Sequence, residues 1–147
     1  MKYFTKEYIK ECDCREIQGL KPKLEFGDFG FNNIENQWES SMQIIFICDD
    51  YQEFVVGKHN KNGNNYDCKF NKKNIIYLPT GDQLDEEIKQ FCMENPLLRY
   101  EISWIVTCWE AYILEDNLQK TTTKIFEGSD NPLLAKIKLL KQLIKER

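Results

Sequence analysis

The sharpest change of hydrophobic pattern lies between Ile75 and Asn95, in IIYLPTGDQLDEEIKQFCMEN. Ile75 to Leu78 form a short apolar, β-prone run, and Pro79 ends it because proline cannot donate to a sheet ladder. Leu84, Ile88 and Phe91 then recur at spacings of four and three, the stripe of a helix with one buried face. Thr80 and Gln83 have capping-box spacing, with Asp82 as the alternative cap. Asp82, Asp85, Glu86 and Glu87 crowd the first turns, where the helix dipole favours negative charge. The pattern predicts a strand, a tight turn and a helix over 82–95.

Two further helices follow from the same reasoning. Thr5 as N-cap, Ile9, Cys12 and Ile17 on one side, and Gly19 as a stop predict a helix over 5–18. Asn131 as N-cap, Pro132 at the first helical position and Leu133, Leu134, Ile137, Leu140 and Ile144 predict another over 131–146. Lysines flank that stripe. A basic amphipathic helix can bind membranes or sit in a partner's groove. A sheet-covering helix with a solvated cationic face accounts for the same pattern and is preferred.

The remaining apolar runs predict strands. Phe26, Phe29 and Phe31 alternate with Gly27 and Gly30, glycines that suit an edge strand or a bulge. Gln43 to Cys48 is apolar on both faces and predicts a central strand. Residues 53–70 predict a projecting hairpin around Asn62-Gly63, with Lys61 opposite Asn64, His59 opposite Tyr66, Gly57 opposite Cys68 and Val55 opposite Phe70. Leu97 to Glu115 fits both periods, but its β-branched and aromatic residues favour strands at 100–107 and 109–115. Thr121 to Phe126 predicts a returning strand. Together these give one α+β domain over 1–147, a mainly antiparallel sheet covered by about three helices.

Composition narrows the function classes. At 41% hydrophobic and 13% aromatic, the chain is too apolar for disorder. A net charge of −4 gives no reason to expect nucleic acid, whose binding needs clustered Lys and Arg. No apolar run approaches the roughly 20 residues of a membrane span, and MKYFTKEYIKECDC lacks the apolar centre of a signal peptide. The expectation is a cytoplasmic protein with its six cysteines reduced.

Chemistry-bearing constellations are sparse. The chain has 1 histidine, His59, placed near a hairpin turn beside Tyr66, which suits a cross-strand pair better than a catalytic base. Cys12 and Cys14 lie two apart on a predicted helix and point away from each other, and no cysteine shows paired-ligand spacing. Asp49-Asp50 could hold Mg²⁺, though a solvated turn explains them equally well. Gly27-Asp28-Phe29-Gly30 has neither the spacing nor the lysine of a phosphate loop. No catalytic residue, metal site or cofactor is therefore assigned. The candidate interaction residues are Trp38, in a polar loop at 32–41, and Tyr77, Thr80, Asp82 and Gln83 around the central turn.

Three segments, EYIKECDCREIQGLKPKLEFGDF, IIYLPTGDQLDEEI and NPLLAKIKLLKQLI, resemble small uncharacterised proteins encoded by phages and prophages of low-GC Gram-positive bacteria. The matching positions are Glu16, Ile17 and Gln18; Pro22; Gly27 and Asp28; and Tyr77 through Leu84. The last segment resembles the closing helix of phage α-β-α sandwich proteins. Gly81 and Asp85 depart from the pattern, which usually has glutamine at both, and residues 32–74 show no match. The resemblance implies a non-enzymatic accessory protein that binds a host or phage macromolecule, with host takeover or countering host defence as its setting. It carries no catalytic residues. The partner expected is a protein, with a homodimer also admitted; nucleic acid and membrane are not expected. The alternative is a nucleotide- or metal-binding, or hydrolytic, domain, in which the helix start after Leu78 would hold an anion.

Overall fold

Helix α4, Pro132–Glu146, packs against more of the described elements than any other does: three other helices and two strands. Leu133, Leu134, Ala135, Ile137, Leu139, Leu140 and Leu143 are all buried, a stripe wider than one helix face needs to cover a sheet. A computed structural model describes residues 4–22, 24–25, 27–32, 44–46, 55–59, 65–69 and 75–147. Trp38, Asp49, Asp50 and the Asn62-Gly63 turn lie outside them.

The architecture is α+β, with four helices and three antiparallel sheets among the described residues. The first sheet has the order β2 (Ile44–Phe46), β1 (Phe29–Asn32), β5 (Ile75–Leu78). The second is the pair β3 (Val55–His59) and β4 (Asn65–Lys69). The third is a meander of β6 (Leu98–Ile105), β7 (Cys108–Asp116) and β8 (Thr121–Ser129). Its inner face, with Ala111, Ile113 and Ile125, packs against α4. Helix α3, Gly81–Met93, packs on α4 and β6. The strand reading of 97–115 therefore holds, and the strand expected at 121–126 runs on to Ser129.

The helix expected over 5–18 is instead two: α1, Lys6–Cys12, and α2, Arg15–Gln18. Asp13 and Cys14 leave helical geometry, Cys14 with φ −145° and ψ 157°. The spacing carried the reason. An unbroken helix advances 100° per residue, so Ile17 would sit about 140° from Cys12. The break lets Ile9, Cys12 and Ile17 all be buried on the same core.

Two strand placements are also corrected. β1, expected at an edge, is central, and β2, expected to be central, pairs with β1 alone among the described residues. A strand apolar on both faces reveals what lies above and below it, not what flanks its edges. Glycine in β1 answers a close approach: a Cβ on Gly30 would lie 2.6 Å from Ile75 Cγ2 and 3.2 Å from Leu24 Cδ1.

The hairpin pairs one residue away from the expected register. Val55 faces Lys69, Gly57 faces Asp67 and His59 faces Asn65, so residues 60–64 separate the last pair. Asn62-Gly63 marks a turn but does not fix how many residues close it, and loops of three to five residues are the next commonest. His59 is thus opposite Asn65 rather than Tyr66.

Candidate functional site

The motif positions that lie far apart in sequence meet where β5 becomes α3. The break after Cys12 turns the Gln18 amide onto β5. Its Oε1 accepts from the Tyr77 N–H at 2.9 Å, and its Nε2 donates to the Tyr77 carbonyl at 3.1 Å and the Cys12 carbonyl at 2.8 Å. The Tyr8 hydroxyl, fully buried, donates to the Pro79 carbonyl at 2.5 Å. Gly27, at φ +89°, turns the chain into Asp28, a conformation glycine adopts at little cost.

Asp28 is the one buried charged residue among those described, at 1% exposure. Its carboxylate accepts from the Glu25 N–H at 2.7 Å, from Lys21 Nζ at 3.0 Å and from Gln83 Nε2 at 2.8 Å. Gln83 in turn closes the capping box: its Oε1 accepts from the Thr80 N–H at 2.8 Å, and the Thr80 hydroxyl accepts from the Gln83 N–H at 3.3 Å. A buried carboxylate needs such partners, because an unpaired one would cost several kcal/mol.

This arrangement places each candidate interaction residue. Tyr77 uses both backbone groups on Gln18, and its ring is buried. Thr80 and Gln83 have their side-chain polar atoms engaged in the cap and with Asp28. Asp82 is exposed beside them. The capping box and the first-turn acid leave the start of α3 poorly suited to an anion, since two of its N–H groups are already bonded and Asp82 repels negative charge. Among the described residues no cluster of three or more His, Cys, Asp or Glu is placed to hold a metal ion, and no helix is long and apolar enough to cross a membrane.

Two open clefts flank this junction and share Leu20 and Glu87 as wall residues. One, of about 250 Å³, lies over Tyr77, Pro79 and Leu84, with Asp82, Glu86 and Glu87 on its rim. The other, of about 490 Å³, is lined by Phe91 and Ile144 and by Arg15, Glu16, Lys145 and Arg147. Arg147 lies over the Phe91 ring at 4.0 Å and is paired with Glu94.

A second surface is the turn between β6 and β7. Ile105 pairs with Cys108, so Val106 and Thr107 close a two-residue loop. Such loops favour Asn-Gly, whose residues tolerate positive φ. Val106 instead holds φ +52° and is 87% exposed. Beside it Trp104, 53% exposed, packs edge-on to Trp109 at 5.6 Å. Sequence reasoning placed both strands but passed over this tip. The available signal was Trp-Ile-Val-Thr-Cys-Trp itself, a turn without turn residues.

No protein-family model, curated protein or solved structure matches the chain.

Proposed function

We propose that this chain is a phage or prophage accessory protein that acts by binding a host or phage macromolecule, in host takeover or against host defence, rather than by catalysis. The observation that carries the reading is Val106. A β-branched residue in left-handed geometry costs about 1–2 kcal/mol relative to its ordinary conformation. Here that cost holds an apolar side chain in solvent, where it gains nothing from the fold. Strained residues of this kind cluster at binding and switch sites, and Trp104 and Ile105 extend the same exposed apolar tip.

The test is paired stability and binding. Val106→Gly removes the strain and the exposed side chain together. It raises thermal stability and lowers recovery of a stoichiometric partner from a Gram-positive host lysate, and Trp104→Ser lowers recovery without the stability gain. Recovery that is unchanged in both variants contradicts the reading.

A further inference from the structure

We propose that the groove formed by the two clefts along α3 binds an extended peptide segment of a partner protein, seating a lysine or arginine side chain against Tyr77 and Glu87 and an acidic residue against Arg15 and Lys145. The groove has a charge polarity. Asp82, Glu86 and Glu87 line the smaller cleft; Arg15, Lys145 and Arg147 line the larger one together with Phe91 and Ile144; Leu20 and Glu87 are common to both. Lys21, at the acidic end, is neutralised by Asp28 at 2.9 Å. Glu16, at the basic end, stays ionised, its carboxyl held below the usual range by its own backbone N–H, but Arg15, Lys145 and Arg147 outnumber it there.

The acidic rim alone would be an ordinary solvated helix start. Tyr77 makes the difference. It is 6% exposed, lines the smaller cleft, and among the described residues its hydroxyl has no hydrogen-bond partner, although both its backbone groups do. A buried phenol hydroxyl left without a partner is uncommon and is satisfied when a ligand supplies one. Glu86 is paired with Lys89 at 3.7 Å, whereas Glu87 has no ion pair among the described residues and lines the same cleft as Tyr77. A primary ammonium or guanidinium supplies what both lack: donors for the phenol oxygen and positive charge for the carboxylate. The size of the cleft selects the form of the ligand. At about 250 Å³ it is below the range of roughly 300–1,000 Å³ typical of small-molecule sites, and it suits one long side chain. The apolar stretch and the basic end continue the site in the manner of a peptide groove.

This inference does not rest on the hairpin-tip reading, because none of its residues belongs to that tip. The test uses the intact chain and short capped peptides that carry one lysine and one glutamate, in either order, separated by a run of leucines. Binding is followed by calorimetry and by NMR shifts of Leu20, Glu87 and Phe91. The expected result is binding in one of the two orders, lost when the lysine is acetylated. Glu87→Gln weakens it about tenfold, the effect of one close charge pair. Tyr77→Phe weakens it while leaving the melting temperature unchanged, since the hydroxyl makes no hydrogen bond among the described residues. Three results overturn the proposal: peptide binding that does not change in Glu87→Gln, spermidine binding as tightly as the peptides, or a fall of several degrees in the melting temperature of Tyr77→Phe.

Discussion

The side chain of Gln18 pairs with the backbone of Tyr77 as a neighbouring strand would, accepting from its N–H at 2.9 Å and donating to its carbonyl at 3.1 Å. β5 has β1 on one edge, and at Tyr77 this amide covers the other. A helix terminus thus completes a sheet edge, and the third bond, to the Cys12 carbonyl, covers a group exposed by the break between α1 and α2. Gln18→Ala removes all three bonds and leaves the Tyr77 N–H and carbonyl unpaired, while the Cys12 carbonyl keeps the Cys14 N–H at 2.8 Å; the loss is about 2–4 kcal/mol at 1–3 for each stranded group with partial rescue by water. Gln18→Glu keeps an acceptor for the Tyr77 N–H but turns a carboxylate on two carbonyls. That raises the folded-state pKa of the new glutamate, so the variant gains stability as pH falls through that value and loses it as pH rises. Urea titrations at several pH values check both. Wild-type stability in Gln18→Ala would mean that the amide is incidental.

Asp28 is the second brace. It joins the 20–28 segment to the Thr80–Gln83 cap through Gln83 Nε2 at 2.8 Å. Asp28→Ala strands the Glu25 N–H, the Lys21 ammonium and the Gln83 amide, and should destabilise by about 3–5 kcal/mol, as for other broken buried charge networks. Asp28→Asn keeps one acceptor oxygen, turns an NH2 towards the donors of the other and loses the charge opposite Lys21; with part of the network retained it should cost less than Asp28→Ala. Denaturant midpoints rank the three proteins; midpoints equal to wild type in both variants would show that the charge and its geometry contribute nothing.

The local elements were legible because their signals are local. Thr80 with Gln83, and Asn131 with Pro132, fixed the starts of α3 and α4 within one or two residues. The alternation of β-branched and aromatic residues gave β6 and β7. What could not be read was anything set by a distant partner. Gly30 looked like an edge-strand signal, yet its purpose is the close approach of Ile75 and Leu24. The five-residue step from Cys12 to Ile17 was visible, but its meaning depends on Gln18 finding Tyr77, 59 positions away. The candidate site was legible in the same partial way. Tyr77, Thr80, Asp82 and Gln83 do stand at one junction, but the sequence could not show that Thr80 and Gln83 are engaged by Asp28 and the cap, or that Glu87 lines the same cleft as Tyr77.

Alkaline pH should unfold the chain from its buried acids. Burial, more than any neighbour, raises the Cys12 thiol above its ordinary 9.0 and the Tyr8, Tyr77 and Tyr100 phenols above their ordinary 10.0. The folded chain keeps these protons where the unfolded chain releases them. Their contribution is therefore intact below the ordinary values and is lost as pH rises above them, first for Cys12 and then for the tyrosines. The melting temperature should be flat from neutral pH to about 9 and then fall, with the last of the tyrosinate absorbance appearing together with loss of helix. Full tyrosinate absorbance from all 7 tyrosines while the helical signal stays intact would contradict the burial of these rings.

Leu140 is fully buried on α4, the helix that touches the β6–β8 sheet and the other three helices. Leu140→Asp should unfold the chain, because an unpaired buried charge costs several kcal/mol against a total of roughly 5–15. Circular dichroism and sedimentation decide it. A folded, monomeric Leu140→Asp would place α4 at the periphery.

The binding reading is tested most directly by photo-crosslinking in a low-GC Gram-positive host, with a photoreactive phenylalanine at position 106 or, as control, at 118. Leu118 is also fully exposed, at 107%, but sits in the β7–β8 turn, where the Asn117 side chain accepts from the backbone N–H groups of Gln119 and Lys120 and the geometry needs no external partner. The account predicts a discrete crosslinked macromolecule from position 106, absent from 118 and lost on adding Trp104→Ser. Equal, diffuse crosslinking from both positions would contradict it.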